Sequence, residues 1–530
     1  MVTPRPWFER LQYPLLGAFL AVFLVVGWIS REPPLQGAGD DEFVYLALSE
    51  SLESGSYRET FRADQPWHVQ YPPAYPAWLI PVRKLTGENL TAITASNLVL
   101  ATLGLLVLFL AARQLLGVPI ALGFLFLLTL NRSLLTASSL SSEGLFLLLA
   151  SATLYWMLPR PDAPPRPAWP ALVLALLAFL TRSIGLALVL AVGVWLWSRR
   201  DRRVLLAWGL ASVLVVGGWL FYSSQSWADP TIATYASDFT AGMPESGGGV
   251  IAHLLGRVWK GGVTYATTHM PHAIALPTIP GTVVDNWLWL ALTAFLMTVG
   301  LLLFWTRWRG AAVYVACYVG IVLLWPWESG RLLVPLVPFG LLALLLGARW
   351  VTGWLGVRAG RVAVGLLLAM LGWGAIESGW ERLRLYRNCD REQPNQSAGC
   401  YDHWKLAIIA GAEFVRANGN PGDLVFTDQP ASVAYFSGHL TLPAFIAWQA
   451  APRTTAEVMR ERGVRYILGY RSWHAERMLP SCAELRLEGY YPPEGLLLSL
   501  GGGSVPSGAS APGSDACQTM RRVADLQLPP

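Results

Sequence analysis

The chain has 530 residues, 54% of them hydrophobic and only 14% charged, with 25 tryptophans and a formal net charge of +5. Soluble proteins carry about a quarter charged residues, so this composition and a mean hydropathy of +0.42 exclude an ordinary soluble globule. The positive charge does not argue for nucleic acid, because the arginines sit in short loops between alternate apolar runs, where they orient helices.

The first apolar run, Leu15 to Ile29, follows Arg5 and Arg10. The segment after it, Ser30-Arg31-Glu32-Pro33-Pro34, lacks a small-x-small cleavage site, so the run reads as an uncleaved first helix. About eleven apolar segments follow from a membrane-length window: 13–30, 93–113, 117–131, 142–158, 169–181, 184–197, 204–222, 284–305, 311–326, 332–349 and 362–378. Thr181-Arg182-Ser183 interrupts one pair, which predicts two helices meeting in a protein-lined cavity. With the N-terminus in the cytoplasm, the inner loops collect Arg113, Arg160, Arg166, the Arg199 to Arg203 run, Arg307, Arg309, Arg349 and Arg358, as the positive-inside rule expects. The opposite side then receives two long loops, 31–92 and 223–283, and the turn Pro326 to Arg331.

These segments make residues 1–380 a polytopic α-helical membrane domain of about 11 transmembrane helices. Beyond it, Trp404 to Ala417 has helical periodicity, Asp423 to Asp428 reads as a buried strand, and Ala431 to Gly438 as a helix. Thr454 to Gly463 is a further helix feeding the strand Val464 to Leu468. Alternating strands and helices predict a small C-terminal α/β extracytoplasmic domain over 381–500, with 501–530 as a flexible tail. Four of the five cysteines fall in this C-terminal region. In an oxidising compartment they are expected as Cys389–Cys400 and Cys482–Cys517, one of three possible connectivities. A metal site is the weaker reading, because no close Cys-x-x-Cys or His pairing occurs there.

The chemistry-bearing residues cluster in the long loops. The first begins Gly39-Asp40-Asp41-Glu42-Phe43-Val44-Tyr45 and ends Tyr71-Pro72-Pro73. Acids at a membrane edge are costly if buried alone, although acids in a helix first turn also simply favour its dipole. Ser141-Ser142-Glu143 opens the fourth apolar segment, with Ser capping as its plain alternative. Arg182 is a charge between two membrane helices and needs a partner or an anion. Arg331 follows Glu328 in the last loop, and a snorkelling interfacial arginine is its plain alternative. His269 and His272 could contribute to a metal site, although isolated histidines in an aromatic loop are more often structural.

Taken in order, Gly-Asp-Asp-Glu-x-x-Tyr, Tyr-Pro-Pro, an acid opening the fourth segment and Arg331 with Pro335 resemble the type-C glycosyltransferase (GT-C) superfamily, over roughly 10–380. The nearest branch is similar to the lipid A aminoarabinose transferases, the protein O-mannosyltransferases and their bacterial relatives. The resemblance implies a bacterial inner-membrane enzyme that moves a sugar from a polyprenyl-phosphate donor to a glycan, lipid or protein hydroxyl on the outer face. It matches Asp41 and Glu42 to the family's Asp-Glu pair, with Asp41 as base, Asp40 as an extra acid, and Tyr45 in the following turn. Arg182 and Arg331 would face the carrier phosphate; Tyr45, Tyr71, Glu143 and Glu328 would bind substrate. A divalent cation, magnesium or manganese, would find candidate ligands in Asp40, Glu42, Glu143, His269 and His272. Two departures stand out. Tyr71 occupies the place where aminoarabinose transferases carry Lys, and Leu332 replaces the Tyr of the family's Arg-Tyr-x-x-Pro motif. Readings from other classes are a polytopic lipid or solute transporter, which lacks support in paired repeats, and a non-catalytic assembly or sensor protein.

Overall fold

In the computed structural model the described residues are 7–160, 166–226, 234–240, 249–274, 287–389, 400–444, 454–493, 495–500 and 514–525, with isolated positions at 164, 232 and 243. Among the described residues each of the apolar segments lies mostly on a helix. Five helices are long and apolar enough to cross a bilayer unaided: Leu11–Ile29, Leu90–Leu116, Arg202–Ser224, Trp287–Arg307 and Val357–Tyr386. A bent pair, Val118–Thr129 and Arg132–Ser138, meets at 60° and qualifies as a sixth if taken together. Among the shorter apolar helices one is surrounded by protein nearly throughout. Val337–Gly353 is buried from Val337 through Ala348. It touches Trp287–Arg307 backbone to backbone, since a Cβ on Gly300 would lie 1.8 Å from the Ala343 carbonyl and one on Gly347 2.0 Å from that of Leu296. Small residues permit such an approach where apolar burial offers no drive between helices.

At one end of the bundle the segment 31–92 forms a folded layer. Gly39, at φ 67, turns the chain into the acidic helix Asp40–Glu53. A second helix, Ala74–Thr86, packs against it. Over this layer lies a five-stranded sheet ordered β2-β1-β3-β5-β4, with β1 Leu424–Thr427, β2 Thr441–Pro443, β3 Val464–Gly469, β4 Leu485–Tyr491 and β5 Gly495–Leu500. The first three are mutually parallel and β5 pairs antiparallel with β3 and β4. Helices His403–Asn418, Pro430–Ser437 and Thr455–Arg462 occupy the stretches where helical periodicity occurs. Thr454 and Glu457 close a capping box on the last of these.

Edge strand β2 and the β4–β5 hairpin are additions to the sequence reading. β2 is only three residues long, and its edge is covered because Thr441 N donates to the Phe61 carbonyl and Ala63 N to that of Thr441, each at 3.0 Å. Both expected disulfides, Cys389–Cys400 and Cys482–Cys517, are present. The expectation of a flexible tail over 501–530 needs correction. Residues 501–513 and 526–530 lie outside the described residues, but Ser514–Ala524 is a helix whose Ala516, Met520 and Val523 are buried against the sheet unit. The spacing of those residues, three and four apart, is the signal that composition hid.

Candidate functional site

Three consecutive acids begin the acidic helix, and a helix turns about 100° per residue, so they point three ways. Asp41 points towards the bundle. Its Oδ2 accepts from Arg331 Nη1 at 2.8 Å and its Oδ1 from the Tyr71 hydroxyl at 2.7 Å. Burial, followed by the charge of Asp41, holds the Tyr71 phenol well above its ordinary pKa, so it remains a donor. Tyr71 is itself fixed by His68, whose Nε2 accepts from Tyr71 N at 2.8 Å while Nδ1 donates to Glu59 at 2.9 Å.

Arg331 continues the chain of charges. Its Nε donates to Glu143 Oε1 at 2.5 Å, and Arg182 Nη1 reaches that same oxygen at 2.5 Å. Glu143 is almost wholly buried, and two guanidinium groups offset the cost of desolvating its charge. The plain alternative for this stretch, a Ser cap, does not occur. Ser142 makes no side-chain cap, and its Oγ instead accepts from Arg182 Nη1 at 3.2 Å and meets the Tyr45 hydroxyl at 3.1 Å. Arg182 stands in extended backbone between Trp169–Thr181 and the helical turn at Ser183, the broken-helix position expected for it.

The four charges separate two hollows that share Arg331. On one side a cavity of about 740 Å³ has Asp41, Tyr45, Tyr71, Arg182 and Arg331 at its polar end. Its walls are Phe179, Leu186, Val216, Trp219, Ile321 and Trp325. On the other side a cavity of about 540 Å³ is lined by Glu32, Arg132, Ser139, Glu143, His272 and Arg331.

The remaining candidates lie elsewhere. Glu42 turns back to the segment before its own helix, accepting from Ala38 N at 2.7 Å and from Leu35 N at 3.0 Å. It thereby holds Leu35 at φ 75, a left-handed conformation uncommon outside glycine. Burial pushes the Glu42 carboxyl up to about 7. Asp40 points away from Asp41 altogether, into the sheet unit, and binds Ser432. Glu328 approaches Lys260 at 3.6 Å instead of Arg331, and it does not line the apolar cavity. His269 ends a π-helical turn, Tyr265–His269, while His272 lines the polar cavity.

This geometry does not suit the expected cation. Glu143 is saturated by two arginines, Glu42 by backbone N–H groups and Asp40 by Ser432, so no shared oxygen cage forms. Among the described residues no group of three or more His, Cys, Asp or Glu side chains gathers as a ligand set. Ser142, His68 and Ser432 were missed by sequence reasoning. His68 stands three residues before Tyr71 and was within reach of such reasoning; the other two depend on contacts across the chain.

No protein-family model matches the sequence, and no curated protein sequence matches it. Solved structures do. The undecaprenyl-phosphate complex of ArnT from Cupriavidus metallidurans aligns over 91% of this chain and 97% of its own, with a TM-score of 0.54 and 15% identity. The apo form of that protein gives a TM-score of 0.55 at 13% identity, with the same coverage of both chains. An oligosaccharyltransferase from Archaeoglobus fulgidus, solved with zinc and sulfate, aligns over 85% of this chain and 67% of its own, with a TM-score of 0.51 and 12% identity. The chain has a GT-C-like fold. Identity this low speaks for architecture and not for chemistry.

Proposed function

We propose that this protein is a membrane glycosyltransferase that moves a sugar from a polyprenyl-phosphate carrier to an acceptor hydroxyl at the extracytoplasmic face. The observation that carries this reading is the placement of Asp41, Arg182 and Arg331 at the polar end of an apolar cavity, with Glu143 behind them holding both arginines. An apolar hollow ending in two guanidinium groups suits a lipid chain ending in phosphate, because the planar fork of Arg donates two hydrogen bonds at once. The ArnT structure, of the same fold, was solved with undecaprenyl phosphate. The eleven apolar helices are taken as eleven spans, with the arginine-rich loops and N-terminus in the bacterial cytoplasm and the sheet unit outside.

The charges suggest the order of events. Asp41, Glu143, Arg182 and Arg331 sum to zero, so an arriving phosphate has to displace a carboxylate from an arginine. Asp41 is the one to yield, being half-buried and held to Arg331 through one nitrogen, whereas Glu143 is clasped by both arginines. Once phosphate takes Arg331 Nη1, Asp41 Oδ2 is released to act as base. An acceptor entering from the polar cavity then attacks the anomeric carbon with its hydroxyl oxygen and gives its proton to Asp41. The bond from that carbon to the phosphate oxygen breaks, the electron pair leaves with the phosphate, and Arg182 and Arg331 hold the growing charge. A single displacement inverts the anomeric configuration. No step runs through a metal.

The test is mass spectrometry of membrane lipids from cells lacking the protein. A polyprenyl-phosphate sugar should accumulate and disappear again on complementation. An unchanged lipid-linked sugar pool, together with no release of free polyprenyl phosphate in a membrane assay, would count against the enzyme and for a transporter or assembly role.

A further inference from the structure

In sheets with parallel strands, ligands bind at the carboxyl ends of the strands, where a helix N-terminus offers free N–H groups and a favourable dipole. In this protein the corresponding place lies after β1, at Thr427-Asp428-Gln429, where the helix Pro430–Ser437 begins. It is braced from within. His474, fully buried, donates from Nε2 to Asp428 at 3.0 Å and accepts from Tyr470 N at 3.0 Å.

The start of that helix is occupied by another part of the same chain. Asp40 Oδ1 accepts from Ser432 N and from Ser432 Oγ, both at 2.6 Å, and its Oδ2 accepts from Ala431 N at 3.3 Å. Ser432 is fully buried. Three residues along the acidic helix, on the same face, Phe43 packs on Tyr435 and Phe436 with ring centroids 4.5 and 5.2 Å apart. Before the helix, Lys405 Nζ donates to the Gln36 carbonyl at 3.0 Å. The sheet unit therefore grips the stretch 36–43 at three points. Asp41 lies inside that stretch, between Asp40 on the sheet unit and Glu42 on the turn at Leu35.

We infer that the C-terminal sheet unit is a positioning clamp that grips Asp40 at the start of the helix Pro430–Ser437, so that docking aims Asp41 at Arg331. Asp40 is then a positioning residue, neither base nor metal ligand, and the helix start that holds it is not a second substrate site. The catalytic consequence rests on the transferase reading above; the docking does not.

The full-length chain in lipid nanodiscs tests this with Asp40→Asn, Ser432→Ala and the double variant, followed by hydrogen exchange and by turnover. Each single change should speed exchange in both 38–46 and 430–436, at sites that belong to different parts of the sequence. Each should lower kcat about tenfold, as for a base displaced by a fraction of an ångström, while the donor KM stays within about twofold. The double variant should be no worse than the more severe single, because both changes act on the one contact between Asp40 and the start of the helix Pro430–Ser437. Ser432→Thr, which keeps the hydroxyl, should restore kcat. Unchanged exchange at 38–46 in both singles, or kcat losses that multiply in the double, would overturn the clamp. Absence of turnover in the unaltered protein would sink the transferase reading instead, and the exchange data would still decide the docking.

Discussion

The two cavities either side of Arg331 have different walls. The larger is lined by Phe, Leu, Val, Ile and Trp side chains and becomes polar only at its end. The smaller is lined by Glu32, Arg132, Ser139 and His272, and Glu32 is already engaged by Arg382 at 2.9 Å. Water solvates charges in the second and is poorly held in the first, so a hydrocarbon chain gains by entering one and a hydroxylated acceptor by entering the other. What divides them is a partly buried charge chain with no net charge, which favours an anion only if one of its own carboxylates gives way.

The largest effect should come from the dividing wall itself. Asp41→Asn keeps the size and the contact to Tyr71 but removes the base, and should lower turnover by about a thousandfold with membrane insertion intact. Near-normal turnover would break the assignment. A smaller effect should separate the two sides. Val216→Trp, filling the apolar cavity, should raise the donor KM about tenfold with the acceptor KM unchanged. Ser378→Trp, on the rim of the polar cavity, should do the reverse by about the same factor. Identical kinetic signatures from the two would mean that the cavities do not serve separate substrates.

The smallest effect concerns stability. Burial pushes the Asp40 and Glu42 carboxyls up to about 7 from ordinary values near 4, so the folded protein holds those protons more tightly than the unfolded chain. Stability should therefore be greatest below about pH 4 as far as these groups are concerned, and fall as pH rises through 7, by a few kcal/mol at most. Thermal melting of detergent-solubilised protein between pH 5 and 8 checks this. Glu42→Gln, which has no charge to desolvate, should flatten the fall; an equally steep fall in the variant would remove Glu42 from the account.

Hydropathy made the bundle legible, because a bilayer imposes length and apolarity on each segment separately. The periodicity of His403–Asn418 and the β1 and β3 runs were legible for a similar reason, each being a local pattern. The acid run was only partly readable. Its three side chains leave one helix turn in three directions, and which direction is the cavity depends on what packs around the helix. Nothing near residue 40 announces Ser432, nearly four hundred positions away, and nothing near Glu143 announces that two arginines from separate loops will close on it. Glu328, expected to bind substrate, stands three residues from Arg331 in sequence, yet Arg331 faces Asp41 and Glu143 and Glu328 approaches Lys260.

The central claim is that a lipid phosphate takes the place of Asp41 on Arg331. Equilibrium binding of unglycosylated polyprenyl phosphate to the protein in nanodiscs tests it directly, because no chemistry is involved. Arg331→Ala and Arg182→Ala should each weaken binding by about a hundredfold, while Asp41→Asn should bind at least as tightly as the unaltered protein, since it removes the competing negative charge. If Asp41→Asn weakens binding as much as loss of either arginine, or if the unaltered protein binds no polyprenyl phosphate, the exchange at Arg331 does not occur and the account is contradicted.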